Sequence, residues 1–147
     1  VGDLPSAVLF CCTMNAVRSP MAEGIMKRIH GKRVYVYSVG VRRGELDPFV
    51  VQVMDEIGVD LSKHRPRLFD ELEDDSFDVV VSLSPEAQHK AVDLTRHNAC
   101  EVEYWPTFDP SMVEGNREVM LDAYRKVRDE LEAHIRRRFP IGGMARE

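Results

Sequence analysis

The stretch Val8-Leu9-Phe10-Cys11-Cys12-Thr13-Met14-Asn15-Ala16-Val17-Arg18-Ser19-Pro20 constrains this chain more than any other. From Ser6 to Cys11 the apolar density is that of a buried parallel strand. A tight loop follows, and Ser19 then suits an N-cap and Pro20 the first position of a helix. A strand passing into a helix is the first half of a βαβ crossover.

The same grammar recurs downstream. Met21, Ala22, Ile25, Met26 and Ile29 form one apolar stripe to about His30, where Gly31 stops the helix. Residues 34–38 read as a second strand, running out in Val39-Gly40. Asp47-Pro48 is another cap-plus-proline start, with Phe49, Val50, Val53, Met54 and Ile57 on the helix and Gly58 at its end. Residues 60–72 hold a short strand and a helical turn near Leu68, and the acidic run 71–75 reads as a solvated loop. Residues 77–83 form a third strand, and Ser84-Pro85-Glu86 opens a helix to about Arg96. A last strand covers 101–105, a loop 106–115 and a long amphipathic helix 116–139. That helix carries Met120, Tyr124, Val127, Leu131 and Ile135 inward and three arginines at its C-terminal end. The tail from about 140 reads as frayed. Strands alternating with helices predict an α/β three-layer sandwich: a four-stranded parallel sheet with helices on both faces. The 147 residues read as a single domain, 1–147, able to bury a core without staples.

Ligands of such a sheet bind beyond the carboxyl ends of the strands. That end carries the Cys12 loop, where Cys12 and Arg18 are separated by five residues. A thiolate at Cys12 would meet unpaired N–H groups and the positive end of a helix dipole, and both favour the anionic sulfur. Arg18 adds a planar fork suited to bidentate capture of a tetrahedral oxyanion. Backbone N–H groups of Thr13, Met14, Asn15, Ala16, Val17 and Arg18 would line the rest of the cradle. A nucleophile joined to an anion cradle is what covalent phosphoryl transfer needs. A buried structural cysteine is the alternative reading of Cys12. Ser19, besides capping, has a hydroxyl placed to stabilise the thiolate, and Asn15 tolerates a left-handed backbone.

Cys-x5-Arg-Ser-Pro with Asn15, the continuation Met21-Ala22-Glu23 and a late Asp109-Pro110 resembles the low-molecular-weight protein tyrosine phosphatases and their arsenate reductase cousins. The resemblance runs from Leu9 to about Phe139. It implies the strand order 2-1-3-4 and a phosphocysteine mechanism with Cys12, Arg18 and Asp109 as catalytic residues. Asp109 would be the acid that protonates the leaving group, and then the base for the attacking water. Asp-Pro is also a common turn or cap pair. Asp109 is preferred to Asp47 because the family places its acid in a loop before the last helix. The family also braces its loop asparagine with a serine and a histidine, here Ser38 and His64.

The chain departs from the family at Met14, where glycine is usual, and at Val17, where many members carry a second cysteine. Its loop after Gly40 is short and basic. The substrate wall is therefore assigned to Arg42, Arg43, Trp105, Phe108 and Met112, and the two arginines imply a preference for phosphopeptides flanked by acidic residues.

The expected substrate is a phosphotyrosine protein or a small aryl phosphate, with phosphate-like oxyanions as inhibitors. An arsenate reductase using an external thiol and a non-catalytic phosphoprotein-binding module are the alternatives. Thioredoxin-coupled reductases carry two further cysteines after the third strand, where this chain reads Ser82-Leu83-Ser84-Pro85-Glu86.

A formal charge of −5 argues against a nucleic-acid surface. No apolar run spans a membrane, and no signal-peptide layout opens the chain. Three cysteines, two of them adjacent, make no disulfide framework, and a working thiol implies a reducing, cytoplasmic setting. His89, Asp93 and His97 share a helical face that reads as solvated, Cys100 reads as a small buried hydrophobe, and neither metal nor cofactor is implied.

Overall fold

A computed structural model describes residues 4–73, 76–96 and 99–141. The chain alternates β1 (Ala7–Cys12), α1 (Arg18–His30), β2 (Tyr35–Gly40), α2 (Pro48–Asp55), β3 (Val79–Ser82), α3 (Pro85–Leu94), β4 (Glu101–Tyr104) and α4 (Arg117–Arg138). Short 3-10 turns at Phe69–Glu71 and Pro110–Met112 precede β3 and α4.

The strands pair all-parallel in the order β2-β1-β3-β4, with β1 between β2 and β3. Side chains of a strand alternate between faces, and β1 sorts its residues accordingly. Val8, Phe10 and Cys12 join a core with residues of α1, α2 and α4, whereas Leu9 and Cys11 join a separate core with Ala87 and Ala91 of α3. The sheet is thus the middle of three layers. Cys11 and Cys12, adjacent in the chain, face opposite ways.

Two proline-led helices start as expected: Asp47 and Ser84 accept from Phe49 N and Ala87 N. Asn116 caps α4 through Val119 N. The start of α1 differs. The helix begins at Arg18, Val17 occupies the cap position without a side-chain hydrogen bond, and Ser19 does not cap. The expected stripe of α4 also shifts by one residue at its start. Leu121 is buried and Met120 only partly so. The strand expected at 34–38 runs Tyr35–Gly40, and α3 stops at Leu94 rather than near Arg96. Near Leu68 the expected pieces appear as a single bridge between Gly40 and Leu68 and the turn Phe69–Glu71. The tail 142–147, His97 and the acidic residues 74–75 lie outside the described residues. No helix among the described residues is long and apolar enough to cross a membrane.

Candidate active site

Cys12 is the last residue of β1 and is buried. Its Sγ lies 2.9 Å from Ser19 Oγ, and Ser19 N–H donates to it at 3.4 Å. Released from capping, Ser19 turns its hydroxyl under the sulfur. The first N–H groups of a helix have no intrahelical acceptor, so the start of α1 directs unpaired donors and a positive dipole end at this sulfur.

Asn15 makes the loop turn. Its φ of 55° is left-handed, a conformation asparagine tolerates better than most residues. Its amide nitrogen donates to Ser19 Oγ (2.8 Å) and Ser38 Oγ (2.9 Å). Its amide oxygen accepts from Arg67 N–H (2.9 Å) and lies 3.0 Å from His64 Nε2. An amide oxygen only accepts, so Nε2 carries the imidazole proton. Burial pushes His64 below the usual histidine range; Glu23 opposes this and Arg67 adds to it. Gly40 lets β2 end directly against the loop, since a Cβ there would stand 2.7 Å from Asn15 N.

A buried carboxylate lies behind these groups. Glu23 accepts from Ser38 Oγ and from Arg67 Nη2 (2.8 Å), and Lys27 pairs with it at 2.6 Å. Arg67 also donates Nε to Ser38 O (3.1 Å), and its guanidinium lies 3.9 Å above the Tyr37 ring. Neither Glu23 nor Arg67 was singled out for a role from sequence. Glu23 carried only a spacing signal, four residues after Ser19 and so on the same face of α1. Arg67 had none.

Arg18, Asp109 and Cys12 line one cleft of about 280 Å³. Arg18 donates to Thr107 O at 3.0 Å, and its Nη2 lies 3.9 Å from Asp109 Oδ2. Asp109 caps the turn Pro110–Met112, accepting from Ser111 N (3.0 Å) and Ser111 Oγ (2.7 Å) through Oδ1. The expected acid and the turn cap are therefore the same carboxylate, with a different oxygen toward Arg18. Thr13 donates to Ser84 Oγ at 3.0 Å, tying the loop to the end of β3.

The sequence model described as "Low molecular weight phosphotyrosine protein phosphatase" matches residues 7–139. This chain belongs to that family. Among its relatives, an arsenate reductase from Bacillus licheniformis is 34% identical over 130 residues, covering 88% of this chain and 92% of its own. A solved YwlE mutant from Bacillus subtilis superposes with a TM-score of 0.74 at 26% identity, covering 88% of this chain and 93% of that one. A second YwlE structure, described as an arginine phosphatase with a phosphorylated active-site serine, gives 0.71 at 27% identity, covering 88% and 91%. An arsenate reductase in its phosphate-binding state gives 0.69 at 26% identity, covering 90% and 95%.

Within this family's fold the cleft walls differ from those expected. Trp105 is buried between Phe10, Phe139 and the stacked ring of His134 and lines no part of the cleft. Its position follows from the Cys12 face of the sheet, where α4 needs a large apolar partner. Phe108 and Met112 are exposed but outside the lining. Arg42 pairs with Glu86, and Arg43 with Glu71 and Pro66 O, and neither arginine assigned to acidic flanks is among the residues lining the cleft. Met14, Ala16, Val17, Leu46 and Pro48 line it instead, together with Glu45, Asp47 and Ser111. Asp47, assigned to capping alone, does cap α2, but its Oδ2 also accepts from Tyr124 OH at 2.5 Å beside the cleft. Burial, with Asp47 next, raises the Tyr124 hydroxyl well above the usual tyrosine range.

The cysteines separate cleanly. Cys11 is fully buried on the α3 side, its thiol directed at Val81 O (3.6 Å), and burial pushes its pKa well up. Cys100 precedes β4 and so lies at the opposite end of the sheet from the cleft.

Proposed function

We propose that this member of the family is a cysteine-dependent phosphatase whose substrates are protein phosphotyrosine or related aryl phosphate monoesters. The observation that carries the reading is the environment of Cys12 Sγ: a serine hydroxyl and an N–H directed at it, in a cleft shared with Arg18 and Asp109. Thiolate sulfur attacks phosphorus, the S–P bond forms and the P–O bond to the leaving group breaks. The leaving oxygen takes the electron pair and a proton from Asp109. Arg18 and the loop N–H groups hold the equatorial oxygens as charge develops. Water then attacks the phosphocysteine, Asp109 takes its proton, and phosphate leaves as the thiolate reforms. Ser19 Oγ stabilises that thiolate as a leaving group. Asn15, Ser38 and His64 brace the loop. No metal or cofactor enters these steps.

A second substrate class has an observation in its favour. Glu45, Asp47 and Asp109 line the cleft, and carboxylates suit a cationic leaving group such as the guanidinium of phosphoarginine, the chemistry named for YwlE. Arsenate reduction with an internal thiol has less support, because Cys11 faces the other core and Cys100 the other end of the sheet. A purified-protein assay separates the three, using a phosphotyrosine peptide, a phosphoarginine peptide, and arsenate with reduced thiols. Turnover of the phosphotyrosine peptide that disappears in Cys12→Ser supports the proposal. Arsenate reduction without phosphatase activity overturns it.

A further inference from the structure

Met14 belongs to the Cys12 loop, is 40% exposed and lines the cleft beside Ala16, Val17, Leu46 and Pro48. Among the described residues none of those lining the cleft is aromatic. The place of Met14 is set from outside by the loop between β2 and α2. A Cβ added at Gly44 would stand 2.9 Å from Met14 Cε and 3.1 Å from Met14 Cβ, so the backbone there lies flat against the methionine chain. That loop is bound to the Cys12 loop by Val41 N to Cys12 O (3.2 Å), Arg42 N to Thr13 O (2.8 Å) and Asp47 N to Ala16 O (3.3 Å). A normally mobile side chain is thus confined between two loops at the mouth of the cleft.

We propose that Met14 is a specificity-determining residue: its thioether, held against Gly44, packs on the ring of an aryl phosphate whose phosphorus faces Cys12. The inference rests on the phosphatase reading above and adds the group that selects the ring. Sulfur is polarizable and makes favourable contacts with aromatic rings, and an unbranched chain adapts to a ring edge without needing a flat partner. The carboxylates of Glu45 and Asp47 provide no such surface. Among the apolar lining residues Met14 has the longest side chain.

The test compares wild type, Met14→Ala, Gly44→Ala and the double variant on an aryl phosphate and on a small alkyl phosphate. The Ki of inorganic phosphate and the thermal midpoint report on the cradle and the fold. Met14→Ala is expected to lower the aryl-to-alkyl ratio of kcat/KM about 2- to 10-fold, mostly through aryl KM and with a smaller change in phosphate Ki. Gly44→Ala, which touches the ring only through Met14, is expected to lower the ratio in wild type and to leave it unchanged when Met14 is already alanine. Equal loss on both substrates in Met14→Ala, or an undiminished effect of Gly44→Ala in the double variant, overturns the role of Met14 while leaving the phosphatase intact. Wild type inactive on both esters overturns the phosphatase reading itself, and Met14's role falls with it.

Discussion

Arg67→Met should destabilise the fold substantially, although Arg67 lies outside the cleft lining. The guanidinium donates Nη2 to Glu23 Oε1 (2.8 Å) and Nε to Ser38 O (3.1 Å), and covers Tyr37 at 3.9 Å. Glu23 is 6% exposed at the side chain, and removing one partner of a buried pair costs about 3–5 kcal/mol when the other charge is left alone. Glu23 is not left alone, because Lys27 (2.6 Å) and Ser38 Oγ remain. Lys27 is 53% exposed and Arg67 itself 26%, so solvent screens part of the loss. These discounts leave about 2–3 kcal/mol, or roughly 5–10 °C in midpoint at about 2–4 °C per kcal/mol. Urea unfolding of wild type, Arg67→Met, Glu23→Gln and the double variant measures it. Once Glu23 is neutral, Arg67→Met should cost about half as much or less. A loss below about 0.5 kcal/mol, or full additivity of the two changes, would refute the Glu23–Arg67 pair as a stabilising contact behind Asn15.

Cys12→Ser should abolish turnover with little change in unfolding midpoint, while Cys11→Ser leaves catalysis and costs stability by placing a hydroxyl in the α3-side core; equal loss of activity in both would reject Cys12 as nucleophile. Asp109→Asn should keep the cap on Ser111 yet slow esters with poor leaving groups by about 10²–10⁴. Asp47→Ala should instead cost about 1–3 kcal/mol through Phe49 N and Tyr124 OH, with no dependence on the leaving group among aryl esters. His64 titrates below the usual value of 6.5 in the fold because it is buried. The unfolded chain therefore binds a proton first, and stability should fall as pH drops below about 6.5, levelling off under the native pKa. Denaturation midpoints across pH 5–8 should show that slope in wild type and a smaller one in His64→Gln.

Helix starts at Asp47-Pro48 and Ser84-Pro85, the stripe along α1 and the apolar runs of β1 and β3 were legible because their causes lie within a few residues: a cap, a fixed φ, a period. The same locality explains the failures. Ser19-Pro20 carries the same local signal as Ser84-Pro85, yet Ser19 leaves its cap because Cys12 and Asn15 offer partners from outside the helix. Asp47-Pro48 and Asp109-Pro110 are nearly the same signal, and each caps a short element. The closeness of Asp109 to Arg18 arises only once the carboxyl ends of β1 and β4 lie at one end of the parallel sheet. The departures from the family pattern pointed to Trp105 for a ring wall, but an indole after a strand faces cleft or core according to what α4 presents, and here His134 and Phe139 bury it. The chain's Cys-x5-Arg loop and βα alternation follow from sequence alone. The carboxylate behind that loop, the arginine that neutralises it and the methionine at the cleft mouth were decided by packing, because their partners lie tens of residues away.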